Sequence, residues 1–153
     1  MILPYYSNTI DTDDICFILR ATRMVEKAKK IILVVDDISE NIDLIHHIFS
    51  GEYKVVAAMS GEDALELLQG GLVPALVITD INMPGISGYE VCSYIRSKTG
   101  IQNTPVIFIS GLFSEELMKV GVLAGGNDFI KKPFSISELR EKANILLNPD
   151  YRK

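Results

Sequence analysis

The sequence predicts an α/β fold, a doubly wound sheet of five parallel strands with one extra helix ahead of it. Three observations predict it. Short β-branched runs alternate with helix-period segments from Ile31 to Leu147. The runs are apolar throughout rather than alternating, as in strands covered on both faces. Gly, Pro and Ser punctuate almost every junction between the two patterns.

Residues 1–10 show no periodicity and contain Pro4 and two tyrosines. A helical pattern spans Asp11 to Lys30, with Ile15, Ile18, Leu19, Thr22, Val25 and Ala28 on one stripe. Its acidic start and basic end suit the helix dipole. Such a stripe packs either on its own domain or on another chain as a signalling or dimerisation arm. Residues 1–30 are thus an extension with an amphipathic helix, 31–148 the main domain and 149–153 a short tail.

Ile31 to Val35 reads as the first strand and ends on Asp36-Asp37. A helix over Ser39–Ser50 turns Ile42, Ile45, Ile48 and Phe49 inward and stops at Gly51. His46 and His47 lie about 100° apart on it, so they share no metal and belong at the surface or its boundary. Tyr53 to Ala58 is the second strand. Ser60 opens a helix carrying Ala64, Leu65, Leu67 and Leu68, which ends at Gly70-Gly71.

The third strand, Ala75 to Thr79, delivers Asp80, and Met83-Pro84-Gly85 then turns the chain. Ser87 and Glu90 form a capping box for a helix with Val91, Tyr94 and Ile95. Pro105 to Ile109 is the fourth strand, with proline where no ladder donor is lost, and it leads to Ser110. Ser114 starts a helix with Leu117, Met118, Val120, Val122 and Leu123, more apolar than one buried stripe requires. That surplus suits a docking face together with the fifth strand and last helix. Asn127 to Lys131 is the fifth strand and leads to Lys132-Pro133. Pro133 favours extended backbone at Lys132. Ser135 and Glu138 form a second capping box, for a helix with Ile136, Leu139, Ala143, Leu146 and Leu147 that Asn148-Pro149 ends.

Composition bounds the function. The 153 residues, 48% hydrophobic and 23% charged, are those of an ordinary soluble globule. The net charge is -5, and the basic excess of one in residues 1–30 leaves the main domain more acidic still. That domain is a poor nucleic-acid binder. The two cysteines, Cys16 and Cys92, form no disulfide framework or ligand pair and read as reduced thiols. No apolar run spans a membrane and no signal peptide is evident, which places the chain in the cytoplasm.

The C-terminal ends of parallel strands lie on one edge. Asp36, Asp37, Asp80, Ser110 and Lys132 should therefore converge. Asp36-Asp37 alone could be a helix N-cap pair, Ser110 a strand-end hydroxyl, and Lys132 a solvated charge. Together they suit one chemistry. Three carboxylates in a crevice stay ionised only around a cation, and oxygen ligands favour Mg²⁺. Lys132 supplies a point charge for a phosphate oxygen and Ser110 a hydroxyl. The set fits phosphoryl transfer to Asp80.

These residues resemble a known family. From Ile31 to Leu147 the chain is similar to the response-regulator receiver domains of two-component signalling. The resemblance rests on Val35-Asp36-Asp37, on Asp80 through Gly88, on Ser110-Gly111 and on Asn127 through Phe134. It implies strand order 2-1-3-4-5 and Asp80 as phosphoacceptor. It implies Mg²⁺ held by Asp37 and Asp80, by the backbone carbonyl of Asn82, and by Asp36 mostly through water. Ser110 and Lys132 would bind phosphoryl oxygens, and Phe129 would turn inward as Ser110 moves. Asn82 and Leu112 would flank the line of water attack, and an apolar Leu112 implies slow phosphate loss.

The expected partners are a histidine kinase or histidine phosphotransfer protein, and a second copy through the N-terminal helix or the fourth-helix face. No enzyme activity is expected beyond the domain's own phosphorylation and dephosphorylation. A phosphorylation-independent binding module of the same fold is the alternative. A flavin or nucleotide binder is disfavoured, because Asp36-Asp37 stand where a Gly-rich phosphate loop would follow the first strand.

Overall fold

A computed structural model describes residues 11–24, 28–148 and 150. The elements run α1 (Thr12–Met24), β1 (Ile31–Val35), α2 (Ser39–Phe49), β2 (Lys54–Ala58), α3 (Gly61–Gln69) and β3 (Leu76–Asp80). They continue α4 (Gly88–Ser97), β4 (Val106–Ser110), α5 (Glu115–Leu123), β5 (Asp128–Lys131) and α6 (Ile136–Leu147). All neighbouring strands are parallel, in the order β2-β1-β3-β4-β5. The expected sheet and its order are both present.

Side-chain alternation along the strands splits the core in two. Ile32, Val34, Ile78, Ile107 and Ile109 face Ile42, Ile45 and Phe49 of α2 and Leu139, Ala143 and Leu147 of α6. Leu33, Val35, Val77, Val106 and Phe108 face Ala64 and Leu68 of α3 and Val91 and Ile95 of α4. β3 and β4 are buried along their whole length, and each carries its polar terminal residue inside with it. That burial brings Asp80 and Ser110 to one sheet edge.

Local chemistry sets the helix starts. The hydroxyls of Ser60, Ser87, Ser114 and Ser135 each accept from a backbone N–H three residues on. At Ser87 the box is complete, with Glu90 accepting from the Ser87 N–H at 2.8 Å. At Ser135 the structure shows the serine half, to Glu138 N–H at 3.1 Å.

One expectation needs adjusting. The N-terminal helix does not run to Lys30, since residues 28–30 are not helical. Instead, Lys29 donates to the Ser50 and Gly51 carbonyls and Lys30 to that of Leu147, at the C-terminal ends of α2 and α6. Of the two packings left open for the N-terminal stripe, neither is decided by the exposed α1 residues Ile15, Phe17 and Leu19. The side chains of Ile18 and Thr22, all of Val25, residues 1–10 and the tail except Asp150 lie outside the described residues. α2 takes Ile38 as its N-cap with no side-chain cap, so the alternative reading of Asp36-Asp37 as a helix N-cap pair does not hold.

His46 and His47 are exposed, as their positions implied. Cys16 is exposed, Cys92 buried, and both are free thiols. The Lys132–Pro133 peptide is cis. Among the described residues no helix is long and apolar enough to cross a membrane.

Candidate functional site

β1 and β3 are adjacent and in register, Val35 beside Thr79. The residues that follow this pair, Asp36 and Asp80, therefore emerge side by side. Both are nearly sealed, at 2% and 7% exposure, whereas Asp37 is exposed. Carboxylate oxygens of Asp36, Asp37 and Asp80 all lie within 4.8 Å of one another. β5 brings Lys132 over the top. Its Nζ stands 3.0 Å from Asp36 Oδ2 and 3.6 Å from Asp80 Oδ2.

Burial is the largest influence on Asp80 and pushes its carboxyl above the ordinary range. Lys132 pulls it down, Asp36 pushes it up, the Ile81 N–H lowers it and Asp37 raises it. One ammonium thus stands among three carboxylates, and Asp80 is disfavoured as an anion. A donor set of carboxylate oxygens with surplus negative charge fits a hard divalent cation such as Mg²⁺.

Asp36 is the most constrained of the three. Its Oδ1 accepts from the Ile38 N–H at 2.9 Å, and its Oδ2 accepts from Asn41 Nδ2 at 3.0 Å as well as from Lys132. The Asn41 contact was not foreseen from the sequence. An asparagine in a helix's first turn is commonplace, and only its spacing of five from Asp36 hints at the reach.

Ser110 ends β4 beside the cluster. Its hydroxyl oxygen accepts from the Leu112 N–H at 3.1 Å and from Asn82 Nδ2 at 3.4 Å. Asn82, expected to matter through its carbonyl, thus also uses its side chain. Leu112 projects into solvent at 64% exposure.

Phe129 lies one layer below. Its ring tilts against Phe108 with centroids 5.3 Å apart, and Phe108 meets Tyr89 edge-on at 5.2 Å. The Phe129 ring is packed inward in this structure, against the second core layer. The Tyr89 hydroxyl donates to the Leu117 carbonyl of α5 at 2.9 Å. Within α5 only Gly121 is buried, while Val120, Val122 and Leu123 are exposed. The apolar surplus of this helix therefore faces outward.

Known proteins carry the same pattern. Residues 32–144 match the family model described as the response regulator receiver domain. Over 112 residues the chain is 41% identical to YrkP of Bacillus subtilis (strain 168), named an uncharacterized transcriptional regulatory protein. That match covers 72% of this chain and 46% of the relative. Over 126 residues it is 33% identical to histidine kinase P4 of Formosa agariphila, covering 82% of this chain and 9% of the kinase. The chain spans less than half the length of these curated relatives. Among solved structures, the response regulator TrrA of Thermotoga maritima, in complex with Mg²⁺ and beryllofluoride, superposes with a TM-score of 0.67. The two are 36% identical, with 77% of this chain and 99% of that one covered. The family match over most of the chain, on this sheet order and with these acids at its strand ends, makes the protein a member of the response regulator receiver domain family.

Proposed function

We propose that the domain accepts a phosphoryl group on Asp80 from a phosphohistidine of a histidine kinase or phosphotransfer protein, and that this alters a partner-binding face. The observation that carries the reading is Lys132 Nζ held between Asp36 and Asp80, 3.0 Å and 3.6 Å away. It is a fixed cation beside the one buried carboxylate whose ionised form the site does not itself satisfy.

Asp36, Asp37, Asp80 and the Asn82 carbonyl would hold Mg²⁺, which when bound neutralises charge on the phosphoryl oxygens. An Asp80 carboxylate oxygen attacks phosphorus in line. The phosphorus–nitrogen bond breaks, its electron pair goes to the imidazole, and an acyl phosphate remains. Lys132 pairs with one phosphoryl oxygen. The Ser110 hydroxyl, released from Leu112 and Asn82, donates to another, and Phe129 responds behind it. The chemistry is confined to the domain's own aspartate, with no external substrate turned over.

The face that reads the change comprises α5, β5 and α6, with α5's exposed Val120, Val122 and Leu123 at its centre. A second copy could dock there or along α1. The similarity to histidine kinases supports the phosphorelay setting. We place the domain in the cytoplasm, which suits its two free thiols.

Incubation with Mg²⁺ and beryllofluoride tests the reading, followed by thermal shift and amide NMR. A rise in melting temperature that Asp80→Asn abolishes is expected. A wild-type protein indifferent to both reagents would instead be a phosphorylation-independent binding module.

A further inference from the structure

Asp36 accepts three hydrogen bonds although it is nearly sealed from water. A carboxylate oxygen offers about two lone-pair sites. Oδ2 spends both, on Asn41 Nδ2 and Lys132 Nζ, each at 3.0 Å. Oδ1 spends one on the Ile38 N–H. One site therefore remains, on Oδ1. Asn41 is a mediocre helix former in α2's first turn and makes no cap there. Its side chain instead reaches back to Asp36.

We propose that Asn41 is a positioning residue that fixes the Asp36 carboxylate, so that Oδ2 serves Lys132 while Oδ1 stays directed to a divalent cation. The proposal rests on the phosphoacceptor reading above. Without the Asn41 amide, Oδ2 is restrained by Lys132 alone. The carboxylate then rotates to share both oxygens with the ammonium, because a shared pair recovers the lost hydrogen bond in a poorly solvated place. That rotation withdraws Asp36 from the cation. Partners that orient a metal's carboxylates commonly matter by about 10-fold or more in affinity.

The test is a Mg²⁺ titration by thermal shift on the full chain, as wild type, Asn41→Leu, Asp36→Asn and the double variant. Leucine is close to asparagine in shape, suits a helix and cannot donate. The expected result is a half-saturating Mg²⁺ concentration about tenfold higher in Asn41→Leu, with the metal-free melting temperature nearly unchanged. In the Asp36→Asn background, Asn41→Leu should add no further weakening, since it acts through the carboxylate that is gone. Unchanged Mg²⁺ half-saturation in Asn41→Leu overturns the proposal, as does an equal weakening in both backgrounds. A wild type that shows no Mg²⁺ response at all overturns the underlying phosphoacceptor reading instead, and the two failures are thereby told apart.

Discussion

The Phe129 ring occupies the space that a side chain at Gly121 would fill. A methyl there meets Phe129 Cζ and Cε1, with Phe108 Cδ2 close behind. Glycine in mid-helix normally costs about 1 kcal/mol against alanine, so the missing side chain is a packing requirement. It lets an aromatic residue of β5 lodge beneath α5.

Gly121→Ala should therefore destabilise the protein despite the better helix former, by about 1–3 kcal/mol of overpacking. Phe129 should be displaced outward. Denaturant unfolding and the ring resonances of Phe129 report the two effects. A variant more stable than wild type with unshifted Phe129 signals would show that the slot is not tight.

Asp80 gives a pH signature. Its carboxyl is held above the ordinary range, chiefly by burial, so folding disfavours the anion. A raised folded value means that stability falls as pH climbs from about 4, the unfolded value, through the folded one, and stays lower above it. Asp80→Asn should thus raise metal-free stability near pH 7, seen as a higher Tm than wild type. Lys132 keeps Asp36 as a partner in that variant. The gain should vanish below about pH 4, where the unfolded carboxyl is also protonated. Melting curves from pH 3 to 8 measure it, and a variant less stable at neutral pH would contradict the sign. Mg²⁺ should raise the wild-type Tm by mass action and leave Asp80→Asn nearly unmoved.

The fold was legible because its signals are local: β-branched runs, serine caps and glycine stops each act within a few residues. The convergence of Asp36, Asp37, Asp80 and Lys132 was legible because parallel strands share an edge. What escaped were contacts made by ordinary polar residues at long range. Lys29 and Lys30 looked like the basic end of a helix, yet they bind the carbonyl ends of α2 and α6. The amides of Asn41 and Asn82 carry no mark in the sequence, because nothing in one dimension says that a carboxylate or a serine hydroxyl stands opposite them.

Arg96 is the same kind of residue at the opposite sheet edge. Its Nε and Nη2 donate to the Gly125 carbonyl, Nη2 also to Asn127 Oδ1, and Nη1 to the Gln102 and Thr104 carbonyls. Asn127 Oδ1 in turn accepts from the Val106 N–H at 2.9 Å. One guanidinium joins α4 to the loops entering β4 and β5. Arg96→Ala should cost about 2–3 kcal/mol, since partly buried carbonyls lose charged donors. Arg96→Lys should recover little, because an ammonium lacks the planar fork. Urea denaturation measures both, and the Mg²⁺ half-saturation should not move. Full rescue by lysine would show that charge alone sufficed.

On the proposed phosphoacceptor reading, Leu112 would bear on how long the phosphorylated state lasts. Its N–H donates to the Ser110 hydroxyl oxygen, so its backbone adjoins the site, and its side chain is exposed and carries no polar atom. Asn82, which the resemblance would set on the other side of the line of water attack, has its amide nitrogen 3.4 Å from the same hydroxyl oxygen. Hydrolysis of an acyl phosphate on Asp80 needs water aligned with the phosphorus, and a nearby acceptor speeds it by holding that water and taking its proton. Leucine supplies no acceptor, so the phosphorylated domain should lose its label slowly. Leu112→Glu adds a carboxylate at that position without touching the core. A well-placed base contributes about 10²-fold or more, and an exposed, mobile one should contribute about tenfold. Release of radiolabelled phosphate after removal of the donor measures the rate. An unchanged rate in Leu112→Glu would show that the water is aligned elsewhere, and that the leucine does not set the lifetime.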